Sequence, residues 1–171
     1  MLSKSLNKAL NQQVQLEFES SNVYLAMASW AEQEGYEGIA SFMYLQSDEE
    51  RMHMLKIFKY INERGGNAEV PALSKVPHTY KSVIDMFTSV LKHEVHVSSE
   101  INKLVDICLK EKDYATHNML QWYVAEQMEE ERVARTLLDK LKLIGTDKSG
   151  VYMFDRDLSS IRSEAGNEKG A

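Results

Sequence analysis

Residues that break helices are few in this sequence and fall at a few places. Two prolines and eight glycines occur in 171 residues, and the long stretches between them carry apolar residues at helical spacing. A sheet would need many more turns, so the pattern predicts an all-α protein. The predicted helices cover residues 5–34, 37–64, 82–111 and 113–144, followed by a short amphipathic helix over 151–161. Ser5 and Ser82 are the predicted N-caps of the first and third helices.

The lengths of the connections predict how the helices are arranged. The connections at Gly35-Tyr36 and around Lys112 are short, so helices one and two should be antiparallel, as should helices three and four. The middle connection, residues 65–81, carries both prolines and could span ~56 Å when extended. A helix of about 28 residues is only ~42 Å long. The prediction is a four-helix bundle with one long crossover, forming a single domain over residues 1–162 with a flexible tail over 163–171.

Charge and cysteine content exclude several classes of function. The formal net charge is −6, which argues against a nucleic-acid-binding protein. The single cysteine, Cys108, excludes an intrachain disulfide and fits a reducing compartment. No apolar run resembles a signal peptide or approaches the length of a membrane span. We therefore expect a cytoplasmic protein without nucleic-acid or membrane partners.

Each of the four long helices has a seam, the row of residues spaced alternately four and three apart that faces the bundle interior. All four seams are apolar or aromatic near their ends and polar in the middle. The polar members are Glu17, Glu50, His53, Glu94, Gln127 and Glu130. These residues lie at similar distances from their helix starts, so antiparallel packing should bring them to one layer of the core. We call this set the polar belt.

The polar belt needs a counter-charge. An ionised, unpaired carboxylate in a core costs several kcal/mol, and no lysine or arginine lies on the seams. Two divalent cations would neutralise four carboxylates, and carboxylates mixed with one imidazole suit iron, manganese or zinc. Glu50 and His53 are three residues apart and face the same side of their helix. A single buried Glu or His is more often structural, but four seams that turn polar at matched depth favour a metal site.

At these positions the sequence resembles the ferritin-like di-iron proteins, and specifically the non-haem bacterial ferritins. The resemblance covers nearly the whole chain. It includes Glu17, Tyr24 and the stretches at 48–53 (DEERMH), 92–94 (KHE), 120–124 (LQWYV) and 126–130 (EQMEE). A bundle with Glu and Glu-x-x-His ligands is the known arrangement of such proteins.

The resemblance implies a role for each residue of the polar belt. Glu17 and His53 would be terminal ligands of a first iron, and Glu50 would bridge both irons. Glu94 would bind the second iron, with Glu130 and Gln127 at or beside it.

Further residues receive roles by the same resemblance. Glu49, Glu126 and Glu129, shared with Glu130, would form a third, transient iron site. Tyr24 would hydrogen-bond a ligand or donate an electron, although it could equally be a core residue with a satisfied hydroxyl.

The function implied by the resemblance is oxidation of Fe(II) to Fe(III) by dioxygen or hydrogen peroxide, with storage of ferric mineral inside a homo-oligomeric shell of 24 subunits.

Two departures separate the chain from other relatives. The fourth helix has no second Glu-x-x-His motif, and Arg51 stands where bacterioferritins place a haem-ligating methionine. No haem is therefore expected.

Two alternatives use the same belt. One is a catalytic di-iron protein that does not store iron, which a duplicated Glu-x-x-His motif or an electron-transfer domain would favour. The other is a structural or partner-binding bundle whose belt is hydrogen-bonded internally or filled by zinc.

Overall fold

The computed structural model describes residues 1–168, and the side chains of residues 1–158. Its five helices are α1 (Lys4–Gln33), α2 (Glu37–Glu63), α3 (Val83–Glu111), α4 (Tyr114–Ile144) and α5 (Lys148–Glu168). No strand occurs within residues 1–168. The predicted all-α architecture with a fifth, C-terminal helix is therefore confirmed. None of the described helices is both long and apolar enough to cross a membrane.

Side-chain caps set the starts of three helices. The Ser82 hydroxyl accepts a hydrogen bond from the first turn of α3, as predicted, and Asp113 does the same for α4. The predicted cap of α1 is wrong, because Ser3 and not Ser5 accepts the backbone N–H of Leu6. Leu6 is already a fully buried core residue, so the first helical turn has to begin before it.

The N-terminus of α2 is capped by a residue from α5. Tyr36, the residue before α2, makes no side-chain cap, and the backbone N–H of Ile39 donates instead to Asp155 Oδ1 at 2.8 Å. The helix that carries Asp155 is longer than the predicted 151–161, since it begins at Lys148 and ends at Glu168. Residues 163–168, predicted as a tail, continue this helix, and residues 169–171 lie outside the described part. The domain boundary at 162/163 stays a prediction.

Contacts between helix ends establish their directions. The backbone N–H of Leu2, before α1, donates to the carbonyl of Arg64, after α2, and the Ser3 hydroxyl donates to Glu111 at the end of α3. The start of α1 therefore lies beside the ends of both α2 and α3. Helices α2 and α3 are consequently parallel to each other, which the long crossover predicted.

Hydrogen bonds hold the beginning of the crossover against α1. Asn11 donates its side-chain amide to the carbonyl of Asn67 at 2.8 Å and accepts the backbone N–H of Glu69 at the same distance. The side chain of Asn7 accepts the backbone N–H of Asn67. Polar side chains of α1 thus satisfy backbone groups that have no helix of their own.

Among the side chains of residues 1–158, two apolar clusters fill the bundle, one near each end. One includes Met43, Phe87 and Phe154, and the other includes Leu10 and Ile57. The first draws on the C-terminal halves of α1 and α4, the N-terminal halves of α2 and α3, and α5. The second draws on the opposite halves. The middle of the bundle, between the clusters, is where the polar belt lies.

Candidate metal centre

The polar belt is buried in the middle of the bundle. Its six side chains are Glu17, Glu50 and Glu94 at 1% exposure, His53 at 3%, Gln127 at 4% and Glu130 at 9%. All four long helices contribute to it. Among residues 1–158, no lysine or arginine side chain is buried with them. The structure therefore collects four acidic side chains in a dry layer that has no fixed cationic partner.

Glu17, Glu50 and His53 form one cluster of possible metal ligands. One ligand atom from each lies within 4.8 Å of those of the other two. His53 Nδ1 is 3.4 Å from Glu50 Oε2 and 4.0 Å from Glu17 Oε2. Both of these carboxylate oxygens are buried and have no hydrogen-bond partner. Lone pairs from α1 and α2 thus point into a common space, which a cation can occupy.

Glu94 and Glu130 form the other half of the belt. The Tyr24 hydroxyl donates a short hydrogen bond to Glu94 Oε1, and the side-chain amide of Gln127 donates to Glu94 Oε2 at 3.0 Å. Gln46 donates to Glu130 Oε2 at 3.1 Å. Tyr24 is therefore both a buried core residue and a hydrogen-bond donor to a candidate ligand.

The electrostatics of the belt reflect the lack of a positive charge. Burial, followed by the negative charge of Glu50, raises the pKa of Glu17 well above its usual range. Burial, followed by the charge of Glu94, does the same to the pKa of Glu50. Burial and Glu94 also raise the pKa of Tyr24. Bound cations would reverse this tendency, because they stabilise the ionised carboxylates.

Carboxylates predicted for a third site lie in two different environments. Glu49 and Glu126 are half-buried and form a second cluster with His53, again with ligand atoms within 4.8 Å of one another. The Glu129 side chain is 60% exposed and lies 3.7 Å from Arg132. The structure thus brings two of these carboxylates together beside His53 and directs Glu129 towards solvent.

Aromatic side chains enclose His53. The Trp122 ring meets the imidazole edge-on at a centroid distance of 5.2 Å, and the Tyr123 hydroxyl donates to the His53 carbonyl at 2.8 Å. Lys56 Nζ lies 3.5 Å from the centroid of the Trp122 ring. These contacts limit the orientations that the imidazole can adopt.

Comparisons with known proteins identify the family. A family model described as a ferritin-like domain matches residues 7–144. A probable bacterial non-heme ferritin-like protein from Haemophilus influenzae is 44% identical over 165 residues, which cover 96% of this chain and 100% of the relative. A bacterial non-heme ferritin from Campylobacter jejuni is 38% identical over 161 residues, 94% of this chain and 96% of that protein. The chain belongs to the ferritin family.

Solved structures agree with this assignment. The open-pore ferritin from the archaeon Archaeoglobus fulgidus superposes on this ferritin with a TM-score of 0.92 at 42% identity. The match covers 93% of this chain and 98% of the archaeal one. The four-helix bundle of the ferritin fold is therefore confirmed. As a ferritin, the chain stores iron and oxidises Fe(II) to Fe(III).

Sequence reasoning missed three side chains around the belt of this ferritin. Gln13 is 2% exposed and donates to Glu17 Oε1 at 2.8 Å; its position four residues before Glu17 was the available signal. Gln46 is 3% exposed and donates to Glu130 at 3.1 Å. His93 is half-buried and hydrogen-bonded to Ser20 at 2.7 Å.

Proposed function

We propose that this ferritin oxidises Fe(II) at two adjacent iron positions inside each subunit. Glu17 and His53 bind the first iron, Glu94 and Glu130 bind the second, and Glu50 bridges the two. The observation that carries the proposal is the pair of unpartnered, buried oxygens, Glu17 Oε2 and Glu50 Oε2, beside His53 Nδ1. Buried polar atoms are rarely left without a partner, so this pair calls for a ligand.

Iron is the substrate of this reaction. Two Fe(II) ions lose one electron each, and the two electrons reduce dioxygen to hydrogen peroxide, or hydrogen peroxide to two waters, with uptake of two protons in either case. The carboxylates favour the oxidised ion, because an ion with a higher charge gains more from anionic ligands in a medium of low dielectric constant. Glu50 keeps the two ions close enough to act on one oxidant molecule.

The second iron position holds its product less firmly. Gln127, a candidate ligand by the resemblance, donates its amide nitrogen to Glu94 Oε2 at 3.0 Å, and the Tyr24 hydroxyl donates to the other oxygen of the same carboxylate. Gln127 offers only a neutral amide oxygen where a carboxylate or imidazole would bind Fe(III) more strongly, so a ferric ion can leave this position for the mineral. Tyr24 acts here as a hydrogen-bond donor to Glu94.

Storage requires more than one chain. The protein forms a homo-oligomeric shell of 24 subunits in the cytoplasm, with α5 along a symmetry axis and ferric mineral inside. Glu49 and Glu126, next to His53, provide a third, transient iron position, and Glu129 has to turn from solvent to join it. The cluster that Glu49 and Glu126 form with His53 supports this placement.

The test is aerobic addition of Fe(II) while ferric absorbance is recorded, followed by size-exclusion chromatography. We expect a fast phase that saturates at about two to three ions per chain, then slower growth with far more iron retained in a large particle. Glu50→Ala should abolish the fast phase while the shell still assembles. Glu63→Ala, at an exposed position of the same helix, is the matched control.

Two results would contradict the proposal. A Glu50→Ala variant with the wild-type fast rate would refute the bridging role of Glu50. A particle that retains only two or three ions per chain would show that this protein does not store iron.

A further inference from the structure

Three buried glutamines donate hydrogen bonds to three of the four buried carboxylates. The pairs are Gln13 with Glu17 at 2.8 Å, Gln46 with Glu130 at 3.1 Å and Gln127 with Glu94 at 3.0 Å. The fourth carboxylate, Glu50, keeps Oε2 without any partner. An ionised carboxylate only accepts hydrogen bonds, so each glutamine has to present its amide nitrogen. Glu17 and Glu50 thus each keep an oxygen free for metal beside His53, and Glu50 is the carboxylate that receives no hydrogen bond from these glutamines.

We propose that Gln13 and Gln46 are positioning residues, each of which orients the carboxylate at a different iron position. The inference rests on the proposed function, since it assigns Glu17 to the first position and Glu130 to the second. Neither glutamine contacts iron in this scheme. Each acts by holding one oxygen of a ligand in place.

Gln13 acts on the first position. It lies one helical turn before Glu17 on α1, where side chains four residues apart meet, and it holds Glu17 Oε1 at 2.8 Å. The terminal torsion of a glutamate side chain is broad, so an amide that binds one oxygen fixes the plane of the carboxylate. The other oxygen, Oε2, is left without a partner, 4.0 Å from His53 Nδ1.

Gln46 acts on the second position from a different helix. It lies on α2 and is 3% exposed, and its amide reaches across the bundle to Glu130 on α4 at 3.1 Å. The bond also links the helix of the bridging Glu50 to the helix of a terminal ligand. Loss of Gln46 should therefore disturb the second position and leave Glu17 unaffected.

The chemistry of glutamine suits this task. A lysine or arginine in the same place would orient the carboxylate but would also neutralise it, and its charge would repel the incoming cation. A glutamine is a neutral donor, so it fixes the ligand while the negative charge stays available to iron. Partners that orient metal ligands in this way typically change metal affinity by about 10- to 100-fold when they are removed.

The experiment uses Co(II) as the probe on the assembled protein, because it resists oxidation by air and its visible absorbance reports its coordination. Titrations of Glu17→Ala and Glu130→Ala assign the two binding steps to the two positions. Gln13→Leu should weaken Co(II) binding at the first position about 10-fold or more and should change the affinity of the second position less than about 2-fold. Gln46→Leu should give the opposite pattern. A general structural defect would weaken both steps together.

The control is an exposed pair with the same spacing on the same helix. Gln15 donates to Glu19 at 2.9 Å, also four residues along α1, so Gln15→Leu should leave both steps unchanged. If either leucine variant fails to assemble, the corresponding Gln→Asn variant replaces it. Asparagine stays polar but is one methylene too short to keep the bond, so it should give the same position-specific loss.

The outcomes separate the inference from the proposed function. Wild-type affinities in the glutamine variants, or an equal loss at both steps, would overturn the positioning roles while the metal centre stands. If wild-type protein shows no Co(II) steps sensitive to Glu17→Ala or Glu130→Ala, the proposed centre itself is wrong.

Discussion

Replacement of Glu50 by glutamine should have opposite effects on stability in the absence and in the presence of metal. The Glu50 side chain is 1% exposed, its Oε2 has no partner, and burial together with the charge of Glu94 raises its pKa well above the usual range. In metal-free protein the ionised group is therefore a source of instability. Glu50→Gln keeps the shape of the side chain and removes the charge.

The size of the effect follows from the cost of a buried charge, because Glu50→Gln still buries a polar group and removes only the charge. A buried polar group without a partner costs about 1–3 kcal/mol and a charged one costs more, so we take about 1–3 kcal/mol for the charge that the substitution removes. In a chain of this length each kcal/mol shifts the melting temperature by about 2–4 °C. At pH 8, where Glu50 is most ionised, metal-free Glu50→Gln should melt about 2–12 °C above wild type. The difference should shrink towards acidic pH, because a protonated Glu50 carries no charge either.

Bound metal should make wild type more stable than Glu50→Gln. A cation present at 100 times its dissociation constant stabilises the folded state by about 2.7 kcal/mol. Glu50→Gln lacks the carboxylate proposed to bind at both positions, so metal should stabilise this variant much less. Wild type should therefore be the more stable protein when Co(II) is bound.

The assay is thermal unfolding at one scan rate and one subunit concentration, with EDTA or with excess Co(II). Glu63→Gln, exposed on the same helix, controls for the loss of a negative charge. The reasoning fails if metal-free Glu50→Gln melts below wild type at pH 8, or if Co(II) stabilises both proteins equally.

Three further predictions concern the metal-free protein and the helix ends. Burial raises the pKa of Glu17 and Glu50, so above pH ~4.3 these two groups bind more protons in the folded chain than in the unfolded chain. The free energy of unfolding should then fall as pH rises through the raised pKa values. Urea titrations in EDTA from pH 5 to 8 measure this fall. An equally steep fall in Glu50→Gln would contradict the prediction. Asp155→Ala removes the cap of α2 and should lower the free energy of unfolding by about 0.5–2 kcal/mol. Hydrogen exchange in the first turn of α2 should become faster. Unchanged exchange there would refute the capping role of Asp155. Lys112 has a φ of 58°, a left-handed conformation that costs a non-glycine residue about 1–2 kcal/mol. Lys112→Gly should raise the urea midpoint, and an equal rise in Lys112→Ala would rule out backbone strain as the cause.

The sequence alone determined the four long helices, apart from the exact start of α1, and the composition of the site. Ser82 and Asp113 mark helix starts and Gly145 a helix end, because capping and breaking depend on residues within one turn. The depth at which each seam turns polar depends only on the rise per residue. The sequence by itself therefore assigns carboxylates such as Glu17 and Glu94 to one layer.

The tertiary structure alone decided which atoms meet within that layer and at the helix ends. Asp155 caps a helix that begins more than a hundred residues earlier in the chain, and Gln46 reaches Glu130 on another helix. Glu129 is directed towards solvent although its neighbour Glu130 is buried. Periodicity assigns a residue to a face of its helix, but the partner of its side chain depends on how neighbouring helices are rotated and spaced. That geometry comes from packing across the whole core, which no local pattern encodes.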